Sequence, residues 1–300
     1  MDTAHASRPE QRIQDAADRL RTGGDWLDAM RLAARLRGFS FANTLLIADQ
    51  HHDRQSVSRK PVPEPSMLAT RMEWSRVGCQ VGGNQIGYTI LADGGRGGFV
   101  VCDIAQLTPD STAPVWRDLV LRGGRAPAGL LTGLEGLIRQ EGYRVAHRPD
   151  STGGGVDWGN QVVRTRFDAT PAEQARMAAT GLARLDLRGP AAHGMAGFQR
   201  DPDVEAASAA SIICAAHGMV LDQHPAGLVD SWAGRPGDPA RTETILTAGE
   251  TARQAALAIL GRLDTAQCAD GTLASLNLPA NPTLFGAPAP QTPSGMAVGI

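Results

Sequence analysis

The stretch from Trp26 to Gln50, WLDAMRLAARLRGFSFANTLLIADQ, constrains what this chain can fold into more than any other segment. Trp26, Met30, Ala33 and Leu36 fall on one face of a helix, with Arg31, Arg35 and Arg37 on or beside the opposite face. Phe39, Phe41, Leu45, Leu46 and Ala48 mark a second apolar stripe. Gly38 separates the two, so the spacing predicts a helix pair broken at that glycine.

Around this pair the sequence reads as α+β. Residues 9 to 50 predict helices, and His51 to Pro65 predicts a polar loop in which Pro61, Pro63 and Pro65 favour extended backbone. Gln85 to Leu91 and Gly98 to Ile104 predict strands bounded by glycines, forming a small antiparallel sheet. Thr108 to Pro127 is rich in Pro, Gly and Arg and predicts a linker. Beyond it come a helix over Leu130 to Gln140, a strand over Tyr143 to His147, a glycine turn over Ser151 to Gly155 and a further segment over Gln161 to Phe167. Thr170-Pro171-Ala172-Glu173 starts a helix that runs to Leu187, since Thr170 caps, Pro171 suits the first helical position and Glu173 completes a capping box. Further helices are expected over Val204 to His217 and Thr247 to Leu263. The organisation expected is a first domain over 9–108, a linker over 109–127, a second, mostly helical domain over 128–265 and a disordered tail over 277–300.

Composition removes several function classes. A hydrophobic content of 42% with 20% charged residues suits a soluble globular chain of 300 residues. No run approaches the ~18 apolar residues of a membrane span, and MDTAHASRPEQ lacks the apolar stretch of a signal peptide, so a cytoplasmic protein without a membrane partner is expected. Cys79, Cys102, Cys214 and Cys268 lie far apart, which argues against a disulfide framework or a thiolate zinc site and for small core residues. The net charge of −2 argues against indiscriminate binding to nucleic acid and leaves a local basic patch open. Lys60 is the only lysine. The arginines that replace lysine elsewhere can stack on bases and fork onto phosphate, although codon usage explains the same bias.

Phe39-Ser40-Phe41-Ala42-Asn43-Thr44-Leu45-Leu46-Ile47 resembles the aromatic-Ser-aromatic-x-Asn-x-Leu-Leu-Ile signature of the N-terminal domain of ArdC-type antirestriction proteins. The resemblance continues through Gln50, through Trp74 with Val77-Gly78 and Val81, and through Phe99 to Gln106, in the family's order. It implies a domain that binds single-stranded DNA. Stacking would come from Phe39, Phe41, Trp74 and Tyr88, a polar contact from Asn43, and phosphate contacts from Arg35, Arg37, Arg71 and Arg76. Phe41 and Trp74 also suit a hydrophobic core. Where the family has basic residues in the hairpin after the tryptophan, this chain has Gly82-Gly83-Asn84-Gln85, which implies weaker, less salt-dependent binding.

The order of elements after residue 128 resembles the zincin-like half of the same family. In active zincins His-Glu-x-x-His on a helix supplies two zinc ligands and a general base. The corresponding place here reads Thr180-Gly181-Leu182-Ala183-Arg184, which implies a pseudoenzyme half with no cofactor. Glu205 matches the place of a further acidic ligand, and it equally suits the first turn of a helix, where the macrodipole favours a carboxylate. His193 and His217 are the remaining candidates to join Glu205 on a metal, at a spacing that fits no standard site. Gly94 to Gly98 lacks the Lys-Ser/Thr ending of a phosphate loop and predicts a hairpin turn, and Gly153 to Gly155 lacks it too. The adjacent His51 and His52 do not share a helix face, and no Gly-x-Ser-x-Gly elbow occurs. The second reading, from a different class, is a protein-interaction scaffold of a mobile-element or defence setting that has lost DNA binding.

Overall fold

In the computed structural model, which describes residues 9–92, 97–109, 126–149, 154–188, 201–219, 221 and 227–273, the chain begins with helices α1 (Pro9–Arg19), α2 (Gly23–Arg35) and α3 (Phe41–Val57). Local chemistry sets their starts. Thr22 and Asp25 form a reciprocal capping box on α2, and the Ser40 hydroxyl accepts from the Asn43 N–H at the start of α3. Helix α3 continues through His51–Val57, which corrects the loop expected from residue 51: that segment is polar but contains neither Pro nor Gly, so nothing in it breaks the helix.

Two small sheets follow. Strands β1 (Leu68–Ala69), β2 (Tyr88–Leu91) and β3 (Gly98–Asp103) form an antiparallel sheet in the order β1-β3-β2, with the short helix α4 (Arg71–Arg76) between β1 and β2. Beyond helix α5 (Leu130–Gln140), strands β4 (Arg144–His147), β5 (Val156–Asp157) and β6 (Val162–Thr165) form a mixed sheet in the order β4-β6-β5. Helices α6 (Pro171–Leu187), α7 (Pro202–Ala216) and α8 (Arg241–Leu260) complete the described chain. Helix α8 starts six residues before the expected Thr247. The fold class is α+β, as the sequence predicts.

The main core draws on both halves. Trp26, Phe41 and Leu45 share one apolar cluster with Leu130, Val163, Leu182, Ile213 and Ile259. At its centre the Trp26 ring meets Phe41 edge-on at 5.6 Å and Trp232 at 5.1 Å, while Trp26 Nε1 donates to the Ser208 hydroxyl at 2.7 Å. Burying side chains of this size contributes about 1.5–3 kcal/mol each, and the indole hydrogen bond removes the penalty of an unpaired buried donor. Most of the expected linker, the tip of the hairpin at 93–96, residues 151–153 of the expected glycine turn, His193 and the tail at 277–300 lie outside the described residues.

Candidate nucleic-acid interface

Strand β2 is an edge, so the outward N–H and C=O groups of Thr89 and Leu91 have no strand to pair with. Helix α3 supplies the partners. The Asn43 carboxamide accepts from Leu91 N–H at 2.8 Å and donates to Leu91 O at 3.0 Å. Gln50 repeats the pattern on Thr89, accepting and donating at 2.8 Å. Two carboxamides two helical turns apart thus complete the edge of the sheet. Asn43 is only 7% exposed and both ends of its amide are engaged, which corrects its expected role as a DNA contact.

The other signature residues are likewise committed to the fold. Phe41 is fully buried between Trp26 and α8, where a Cβ added to Gly249 would lie 2.2 Å from its ring. Trp74 is fully buried and its Nε1 donates to Cys102 O at 2.8 Å, and Tyr88 is buried with the Arg54 guanidinium 3.7 Å above its ring centre. None of these three rings offers a free face to a base, and each is corrected from a stacking residue to a core residue. Phe39 is half-buried against the cluster of Leu36, Ile47 and Tyr88. Asp103 accepts from the N–H groups of Ser66, Met67 and Ala105, and Gln106 Oε1 accepts from Asp103 N–H in return. Burial nevertheless pushes the Asp103 carboxyl above its ordinary value, against the pull of those amides.

The four predicted arginines divide. Arg37 is buried and donates to Cys268 O at 2.6 Å and Ala34 O at 2.8 Å, so it ties the end of α2 to the segment after α8 and is corrected to a structural residue. Arg35 pairs with Glu64 at 2.6 Å. Arg71 is exposed and donates to Gln85 O at 2.9 Å, clipping the loop before β2. Arg76 is exposed and lies 3.7 Å from the Met72 sulfur, with no carboxylate or carbonyl partner among the described residues.

What the sequence reading missed is the open end of the sheet. Phe99 is 44% exposed, Val100 50% and Ile86 79%, while Val101, Cys102 and Asp103 farther along the same strand are buried. The apolar run from Phe99 to Cys102 reads as a strand covered on both faces; the cover ends halfway along it. Val100 packs beside Gly87, where an added Cβ would lie 2.3 Å from Val100 Cγ1, so Ile86 adjoins the same patch.

Helix α6 carries Thr180 to Arg184. The Thr180 hydroxyl donates to Arg176 O at 2.9 Å, and Leu182 and Ala183 are fully buried. A Cβ on Gly181 would lie 2.3 Å from Val163 Cγ1. Arg184 donates to Gly154 O at 2.6 Å and pairs with Asp203 at 2.9 Å. Gly154, at a φ of +79°, lies so close that its own Cβ would fall 2.5 Å from Met177 O. A cation, a bonded hydroxyl and a glycine pressed against a strand do not make a metal-ligand set. Glu205 is 1% exposed on α7 and engaged with a partner. His217 has both ring nitrogens bonded at 2.7 Å, to Ile213 O and to the Thr265 hydroxyl, so it is corrected from a candidate ligand to a core residue. Among the described residues no three His, Cys, Asp or Glu side chains converge on a common point. The residues present do not fit a catalytic metal.

No family model matches this sequence, and no curated protein matches it. Among solved structures, the chain is similar to the Mn(II)-bound crystal structure of the antirestriction protein ArdC from plasmid R388, with 12% identity and a TM-score of 0.50, over 83% of this chain and 97% of that one. The metal-free crystal structure of the same protein matches with 13% identity and a TM-score of 0.49, over 83% and 97%. The chain has an ArdC-type fold.

Proposed function

We propose that this protein binds single-stranded DNA in an antirestriction setting, and that its zincin-like half serves the fold and not hydrolysis. The observation that carries the reading is Phe99: an aromatic ring nearly half exposed on an open sheet whose other aromatics are buried. Exposed rings accept bases irrespective of sequence, and nearby arginines hold the backbone. Arg76 and Arg71 supply cations on the adjoining α4. The likeness in fold to an antirestriction protein supports the setting. The lack of hydrolysis is inferred from the bonds that occupy Thr180 and Arg184 and from the packing of Gly181.

The test is a titration of a labelled single-stranded oligonucleotide into Phe99→Ala and the unaltered protein. Loss of one stacking contact weakens binding by about 1–2 kcal/mol, roughly tenfold, with the melting temperature unchanged. Equal affinities would overturn the role of Phe99. A second reading, a protein-interaction scaffold, is favoured by Ile86 and Val100, which are exposed yet have no ring to stack, and such apolar patches mark protein contacts. It predicts that Ile86→Ser leaves DNA affinity unchanged while abolishing the contact with a protein partner.

A further inference from the structure

The second sheet presents arginines in a different state from those of the signature helix. Arg144 opens β4 in register with Val162, and Asp157 closes β5 in register with the same residue, so Tyr143 and Trp158 flank one end of the sheet. Their rings meet edge-on at 6.1 Å, and Trp158 is 37% exposed. Arg188, just past the end of α6, lays its guanidinium 3.8 Å above the Trp158 ring centre. A guanidinium stacked in this way uses its face and leaves its N–H groups pointing outward in plane, the geometry that forks onto two phosphate oxygens. Arg144 is exposed, and neither it nor Arg188 has a hydrogen-bonding or ion-pair partner among the described residues. The neighbouring Arg164 and Arg166, by contrast, pair with Asp157 and Asp168.

We infer that the Tyr143/Trp158 end of this sheet is a second contact for single-stranded nucleic acid, with Arg144 and Arg188 on phosphates and Trp158 beside a base. Charge complementarity selects a polyanion, and an exposed indole among the free cations selects one that carries flat bases, because a purely acidic peptide has no use for the ring. The inference rests on the single-strand binding proposed above and extends it from one sheet to the other.

The test is fluorescence anisotropy with the full chain and a labelled single-stranded oligonucleotide at two salt concentrations. The double variant Arg144→Ala/Arg188→Ala removes exposed charges and leaves the thermal melt in place. Its dissociation constant is expected to rise about tenfold, and its salt slope to fall by about 1.4, at about 0.7 per lost phosphate contact on a single strand. Arg59→Ala/Lys60→Ala, which removes two exposed charges elsewhere, serves as control and is expected to bind as the unaltered protein does. An unchanged slope and affinity in the Arg144/Arg188 variant overturns the inference while leaving single-strand binding through Phe99 standing. No binding by the unaltered protein overturns both. Competition by polyglutamate as effective as by an oligonucleotide of equal charge would assign the surface to an acidic protein segment and overturn it too.

Discussion

Asn43 and Gln50 show how a residue chosen for its chemistry takes up a structural task. A carboxamide has both a donor and an acceptor, which is what one residue of an unpaired strand edge needs, and α3 places one beside Leu91 and the other beside Thr89. Asn43→Leu leaves the Leu91 N–H and C=O without partners, and stability is expected to fall by about 2–3 kcal/mol in urea unfolding. A loss below about 0.5 kcal/mol would mean that water replaces the amide. His217 carries a pH dependence. Burial holds its pKa below the ordinary 6.5, against the pull of the Ile213 carbonyl, so the folded protein keeps the ring neutral where the unfolded chain has begun to take up a proton. The unfolded state then binds more protons, and stability falls as pH drops below 6.5 toward the folded pKa. His217→Gln is expected to flatten the change in urea midpoint between about pH 7.5 and about pH 5.5, and an unaltered slope would contradict this.

At the scale of elements, the start of α3 is held against α8 by the contact of Phe41 with Gly249 and by Glu250, whose carboxylate accepts from Phe41 N–H at 2.8 Å. Burial raises the Glu250 pKa, but Arg253, the Phe41 amide and Gln254 outweigh it and keep the carboxyl below its ordinary value. Gly249→Ala drives a methyl into the Phe41 ring, and a loss of about 1–3 kcal/mol is expected by thermal unfolding. The helix pair, the capping box of α6 and strands β2 and β3 were legible because periodicity and capping are local. The role of Asn43 was not, because its partner lies 48 residues away in sequence. The same distance hid the burial of Phe41 and Trp74: an aromatic in a helical stripe looks alike whether it faces solvent or a second helix. Strands β1 and β5, of two residues each, are too short for alternation to register. Helix α4 had a readable start in its Thr70-x-x-Glu73 capping box, which the sequence reading passed over.

For the whole molecule, the account separates the scaffold from the surfaces that bind. Residues that carry the resemblance to ArdC hold helix to sheet and half to half, while exposed Phe99 and Arg76 and the free arginines of the second sheet remain for a ligand. On α6, Gly181→Ala is expected to destabilise by about 1–3 kcal/mol, because the added methyl meets Val163. Adding Mn(II) or Zn(II) is expected to leave the melting temperature of the unaltered protein unchanged, since a ligand that does not bind the native state does not stabilise it. A metal-dependent rise would contradict the pseudoenzyme reading. The central claim is tested most directly by the affinity of the unaltered chain for one labelled oligonucleotide, as single strand and as duplex, at low and at moderate salt. The account predicts preference for the single strand and an affinity that falls with salt; no binding of the single strand even at low salt would contradict it.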